Sequence, residues 1–326
     1  MAEPPLGATP GLGRREWLVV ASAGAFAAVF ALAAGAVGGA SVAARIASLS
    51  PGLVGGLLAL SLVNYLVRAG RWHFLDRRAG LEVPFLCELV YYLAGFAMTT
   101  TPGRVGEAMR LWFFARGHGY PYERVAGPLL GDRLADLNAV LILAVLAAAG
   151  MAEHAAGLVA AAAAVAVVTA LALRPAPVLA AAGALHRLSG RRWPLAVARL
   201  RRAIRHAARL LGPRTLALAT ALGVVGWLAE CLAFFLLLAH LGAPVSPAQA
   251  VFVFTFAMLA GAAAMLPGGL GGAEAAMLAL LLGLGVAPAT AIAATAVIRL
   301  TTLWFAVALG FAALPLAVRM ATRRAR

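Results

Sequence analysis

The stretch TTTPGRVGEAMR, residues 99–110, lies in a run of apolar sequence, yet from Pro102 to Arg110 it carries a proline, two glycines, a glutamate and two arginines. Proline deletes a backbone donor and breaks a helix. Glycines Gly103 and Gly106 permit a sharp reversal. Irregular backbone at membrane depth is tolerated only where protein buries it or where it lines a wet cavity. The stretch therefore predicts a helix that enters the bilayer, breaks at Pro102 and turns back. Thr99, Thr100 and Thr101 can supply hydroxyls to the freed backbone groups. The short helix after the break aims its positive N-terminal end at the membrane interior, a ready site for an anion.

The surrounding composition agrees. Of 326 residues, 63% are hydrophobic and 12% charged, about half the charge of a soluble domain. Apolar runs approach or exceed the ~20 residues that a span requires at 17–40, 52–68, 122–150, 155–174, 214–240 and 288–316. Two further apolar segments, 84–100 and 248–266, stop at proline-glycine clusters: Pro102-Gly103-Arg104-Val105-Gly106-Glu107 and Pro267-Gly268-Gly269-Leu270-Gly271-Gly272-Ala273-Glu274. Short helices over about 105–117 and 270–283 are expected after them. The fold class expected is all-α: one integral membrane domain, 1–326, with about six spanning helices and two re-entrant hairpins. The N-terminal run after Arg14-Arg15 is longer than a cleavable signal core of about 7–15 residues, so it reads as a retained first span.

Net charge is +15 and every one of the 27 basic residues is arginine. These gather in loops, which fits topology signalling better than nucleic-acid binding. Most lie at 14 and 15, at 68, 71, 77 and 78, at 110, 116 and 124, ten times within 174–214, and at 319, 323, 324 and 326, while 41–50 has only Arg45. Placing these segments in the cytoplasm puts both termini there, in the cytoplasmic membrane. The first hairpin then dips in from the cytoplasm and the second from outside. The halves 1–154 and 155–326 share a pattern. Pro102 precedes Arg133 by 31 residues and Pro267 precedes Arg299 by 32, while Gly119 and Gly285 each precede their arginine by 14. With an odd number of crossings in the first half, the second is upside down, an inverted repeat of the kind that many secondary transporters use.

Charges at depth are functional candidates by default, with structural pairing as the competing role. Arg104, Glu107, Arg110, Arg133, Asp136, Glu274 and Arg299 are the candidate substrate-binding residues. Pro102, Gly103, Gly106, Pro267, Gly268, Gly269, Gly271 and Gly272 form the structural breaks. Glu107 and Arg110 are spaced to pair on a helix, and Asp132 and Asp136 share a helix face. Glu230 sits inside the apolar span 214–240. An arginine fork suits phosphate and carboxylate. The linker 174–214, cytoplasmic and free of acids, contains an amphipathic segment at 194–211. Its Val197, Leu200, Ile204 and Leu211 oppose Arg202, Arg205 and Arg209, as in a helix lying on anionic lipid. Cys87, Cys231 and the six histidines show no metal-ligand spacing, and no nucleophile elbow, Walker loop or HExxH occurs. No catalytic residue, metal or cofactor is expected.

Taken together, Pro102–Glu107 with Arg110, Asp132-Arg133-Leu134-x-Asp136, Pro267–Glu274 and Arg299 resemble the flippase-like membrane family that includes the transmembrane region of lysylphosphatidylglycerol synthase/flippase. The resemblance covers roughly 50–316. Asp132 stands where the family often has Glu, which keeps the charge. The bifunctional members continue into a soluble aminoacyl-transfer domain that this sequence does not contain, so an enzyme is not expected. The resemblance implies a protein that binds or moves lipids with polar headgroups. A flippase-like transporter of a phosphate-bearing lipid is the leading expectation. A membrane transferase acting on a lipid-linked sugar or headgroup is the first alternative, and a non-transporting partner of lipid-modifying enzymes the second. Membrane lipids are the expected partners, with separately encoded lipid-biosynthesis enzymes and a homo-oligomer compatible with the sequence.

Overall fold

The structure, a computed structural model, describes residues 12–36, 38–100, 109–149, 155–188, 194–264 and 269–323. Every regular element among them is a helix. Helix α1 (Leu12–Ala36) ends near Gly38, whose φ of 90° only glycine adopts readily. The chain then bends by 114° into α2 (Gly39–Ala47), so the first apolar run is a bent pair rather than one straight rod. Ser50 caps α3 (Pro51–Arg78), its hydroxyl accepting from the Leu53 amide at 3.2 Å, with Pro51 at the first helical position.

Next come α4 (Phe85–Ala94) with a 3-10 turn at Gly95–Met98, α5 (Met109–His118) and α6 (Tyr122–Ala149). The second half holds α7 (Ala155–Leu173), α8 (Ala176–Leu188), α9 (Pro194–Leu210) and α10 (Pro213–His240). It closes with α11 (Pro247–Ala263), α12 (Gly272–Gly283), α13 (Pro288–Arg299), a π turn at Leu300–Trp304, and α14 (Phe305–Arg323).

Among the described residues three helices are long and apolar enough to cross a membrane: Pro51–Arg78, Pro213–His240 and the continuous Pro288–Arg323. Two bent pairs, Phe26–Ala36 with Gly39–Ala47 and Ala163–Leu171 with Ala176–Leu188, raise the number to five. Helix α6 has the length but carries Glu123, Arg124, Asp132, Arg133 and Asp136. Phe85–Met98, Pro247–Ala263 and Gly272–Gly283 are apolar and short.

Helices α11 and α12 pack together as a hairpin. Gly261 lies so close to α12 that a Cβ there would meet the Ala273 Cβ at 2.8 Å. Between the helices Gly269 and Gly271 take φ of 69° and 85°, left-handed backbone that glycine adopts without strain. Gly272 packs against Ala264. Pro267 and Gly268 lie outside the described residues, as do Pro102, Gly103, Arg104, Gly106 and Glu107 of the first break. Helix α14 rests on the 3-10 turn before that break, where a Cβ on Gly310 would stand 2.2 Å from the Ala97 nitrogen.

Two larger apolar clusters hold the bundle. One joins Trp227, Phe234, Phe254 and Met277; the other joins Tyr65, Trp72, Tyr91, Tyr92, Phe113 and Phe114. At one end Arg45 donates to the Leu241 carbonyl at 2.9 Å, and His240 lies 3.1 Å from the Ser48 carbonyl. Arg78, Arg124, His206 and Arg209 share a separate cavity of about 290 Å³. The amphipathic segment is helical as α9, with Ala203, Ala207 and Leu211 buried against α6 and Leu200 exposed.

A buried charge network as candidate functional site

Helix α3 carries Asn64, Arg68 and Arg71 at spacings of four and three, which places them on one helix face. That face meets α10 at Gly223 and Gly226. A Cβ at Gly223 would come 2.8 Å from Arg71 Nη1, and one at Gly226 would come 2.8 Å from Asn64 Oδ1. The two glycines thus make room for long polar side chains between apolar helices.

Arg71 is fully buried and lies between the two aspartates of α6. Its Nε and Nη2 donate to Asp132 Oδ1 at 2.8 and 2.5 Å, and Nη2 also donates to Asp136 Oδ1 at 2.8 Å. Arg68 Nη2 donates to Asp136 Oδ2 at 2.5 Å while its guanidinium lies 5.4 Å from the Trp227 ring centre. Trp227 Nε1 donates to Asp136 Oδ1 at 3.3 Å. Arg133 donates to Asp132 Oδ2 at 2.8 Å, and its side chain is 30% exposed. Charge-assisted bonds of this kind are the strong ones, and pairing is the condition for keeping such groups away from water.

A second pair joins the other half. Arg299, at the end of α13, donates through Nε to Glu274 Oε1 at 2.5 Å. Glu274 Oε2 accepts from the Gly271 amide at 2.6 Å, tying the pair to the second break. The π turn follows Arg299 directly, and Tyr65 donates to its Thr302 carbonyl. Beside the pair lies a cavity of about 340 Å³ with Phe26, Phe30, Leu278, Ile292, Thr295 and Glu274 in its wall. It is an apolar slot with a carboxylate at its wall.

Arg110 is different. It is fully buried on α5, and none of its three nitrogens has a hydrogen-bond partner among the described residues. Its guanidinium lies 3.9 Å from the ring centre of Tyr92, 5.0 Å from Trp72 and 5.8 Å from Phe96. Aromatic faces attract the cation without using its N–H donors. Gly95 admits it: a Cβ there would stand 2.7 Å from Arg110 Nε.

Of the expected binding residues, Arg133 and Asp136 fall in one cluster, Glu274 and Arg299 in another, and Arg110 in the aromatic cage. Arg104 and Glu107 lie outside the described residues. Two expectations change. Arg68 and Arg71 are not loop charges; they are buried partners of the aspartates, on a helix α3 that runs on to Arg78. Asn64 was also missed; it donates to Glu230 on α10. The signal was present in the helical spacing of residues 64, 68 and 71. Glu88 and His73, 2.5 Å apart, form a partly buried contact that sequence reading did not single out. Among the described residues no group of three or more His, Cys, Asp and Glu is placed to hold a metal ion.

Comparison with known proteins places these features. Over 89 residues the chain is 36% identical to a UPF0104 membrane protein of Methanothermobacter thermautotrophicus, a match covering 27% of this chain and 26% of that protein. The matched part thus spans about a quarter of the relative's length. A far longer match, over residues 18–310, is to the profile of the lysylphosphatidylglycerol synthase TM region, and it takes in both arginine–carboxylate clusters and the cage. The chain is a multi-pass membrane protein that belongs to the lysylphosphatidylglycerol synthase TM region family.

Proposed function

We propose that the protein is a flippase-like transporter that carries a phosphate-bearing lipid headgroup across the cytoplasmic membrane while the acyl chains stay in the bilayer. The observation that carries this reading is the caged guanidinium of Arg110, buried without a hydrogen-bond partner among the described residues. A buried guanidinium whose N–H donors are left unfilled is costly. An entering phosphate fills the arginine fork bidentately. Arg133, half-way to solvent, meets the headgroup first; Asp136, Glu274 and Arg299 hold the resting site neutral in the absence of lipid. The slot beside Glu274 suits an acyl chain.

In this reading the chain makes six crossings, with α4–α5 and α11–α12 as re-entrant hairpins and both termini in the cytoplasm. The repeat finds support in the glycines after α5 and α12, Gly119 and Gly285, which take φ of 70° and 78°. Helices α6 and α13 follow them, and each brings its arginine to position 12 of the helix.

The test is Arg110→Met in vesicles of phosphatidylcholine and phosphatidylglycerol with a fluorescent phosphatidylglycerol as probe. Wild-type protein is expected to speed leaflet exchange well above empty vesicles. The variant is expected to lose about tenfold or more, the loss of one charge-assisted contact, while its melting temperature in detergent stays level or rises, since the apolar side chain needs no counter-charge. Wild-type exchange no faster than in empty vesicles, across a panel of lipid headgroups, would sink the reading.

A further inference from the structure

Glu230 sits near the middle of α10, among Cys231, Phe234 and other buried apolar side chains. It is itself buried. Among the described residues no arginine forms an ion pair with it: Arg68 is held by Asp136 and Arg299 by Glu274, each at 2.5 Å. Its hydrogen-bond partner is the Asn64 amide, whose Nδ2 donates to Oε1, while Asn64 Oδ1 is buried and has no partner among the described residues. An amide of this kind can serve either protonation state. The carboxylate accepts from the NH₂ group, and the carboxylic acid donates its O–H to the carbonyl oxygen after the amide turns over. Gly226, one turn before Glu230, keeps that oxygen close to α10.

The electrostatic setting gives the proton a consequence. Helix α10 packs against α3, α6, α11 and α13. From α3 the polar and titratable groups facing Glu230 are Asn64, Tyr65 and Arg68; from α6, Asp136; from α13, Arg299; and Cys231 is its neighbour on α10. Helix α11 carries no charged side chain. Arg68, Arg71, Arg133 and Arg299 stand against Asp132, Asp136, Glu274 and Glu230, four charges of each sign. One added proton makes this set net positive.

We infer that Glu230, with Asn64, is the site at which a coupling proton binds: uptake leaves the arginine clusters one positive charge in excess and ready for an anionic headgroup, and loss of the proton releases it. The carboxylate takes one proton from water and returns it to water; no other bond changes. This rests on the transport reading above, and it supplies the energy source that reading lacks.

Two measurements on the full chain separate the two ideas. In lipid nanodiscs without transport substrate, infrared difference spectra between acid and alkaline buffer are expected to show a protonated-carboxyl band that disappears in Glu230→Gln and survives in Glu230→Asp. The glutamine keeps a hydrogen bond to Asn64, so the variant is expected to purify as a single species. In the vesicles described above, a transmembrane pH gradient is expected to speed wild-type exchange roughly fivefold or more, a coupling of ordinary size. Glu230→Gln is expected to flatten that dependence and Glu230→Asp to restore part of it. A band unchanged in Glu230→Gln, or exchange that follows sodium and ignores pH, overturns the proton site. A band that belongs to Glu230, with no exchange at any pH, overturns transport and leaves the proton site standing.

Discussion

At the scale of single residues, the Arg71–Asp132–Asp136 contact ties α3 to α6 through buried charges. Arg71 has no exposed surface, and its fork reaches two carboxylates. Removing one member of a buried set leaves its partner's charge uncompensated, at a cost of about 3–5 kcal/mol. Replacing both members with apolar residues of like volume avoids that penalty. Arg71→Leu is therefore expected to lower the unfolding midpoint in detergent strongly, and Arg71→Leu/Asp132→Leu to recover part of the loss, as a double-mutant cycle reads it. Equal losses in the single and double variants would show that Arg71 contributes by shape and not by charge. Asp132 and Asp136 were legible from sequence, because acids four apart in an apolar run stand out. Their arginine partners were not: an arginine near the end of an apolar run looks like a topology signal until its partner on another helix is known. The helical spacing of Asn64, Arg68 and Arg71 is a sharper cue than their charge.

At the scale of elements, the second break shows its turn in its glycines. Left-handed backbone at Gly269 and Gly271 needs glycine, so the sequence carries it openly. The bend at Gly38 was hidden, because Gly38-Gly39 lies inside an apolar run with no proline or charge to mark an end. Also hidden was the seat of α14 on the 3-10 turn, since a glycine's role in close packing depends on what approaches it. Gly310 makes that concrete. A Cβ there would come within 2.2 Å of Ala97 N and 2.7 Å of Phe96 C, both backbone atoms that no rotamer change can move aside. Gly310→Ala is expected to cost about 1–3 kcal/mol as overpacking. Gly55→Ala, on α3 with open space around it, is expected to be neutral or to gain up to about 1 kcal/mol from helix propensity. Denaturant or thermal unfolding of the two variants side by side checks the difference. Gly310→Ala as stable as wild type would mean that α14 slides freely on the turn.

At the scale of the whole molecule, the contacts sort the loops by arginine content. Segments poor in arginine meet at one place, where Arg45 and His240 bond across to the chain at Leu241 and Ser48. Segments rich in arginine meet at another, around Arg78, Arg124, His206 and Arg209. Arginine-rich loops stay on the cytoplasmic side, so the two groupings predict opposite faces of the bilayer. Single cysteines at Ser246, Ala287, Arg199 and Arg319, in a chain with Cys87 and Cys231 replaced, read this directly. Both native thiols are buried, so their replacement removes background labelling without touching the surface. A membrane-impermeant maleimide added outside intact cells is expected to label positions 246 and 287, and to label 199 and 319 only after the membrane is opened. Positions 246 and 287 flank the α11–α12 hairpin, which enters and leaves by one face if it is re-entrant. Labelling of 246 and 287 from opposite faces would mean that this segment crosses outright. The inverted repeat would then fail, and with it the placement of Glu274 and Arg299 opposite the charges of the first half.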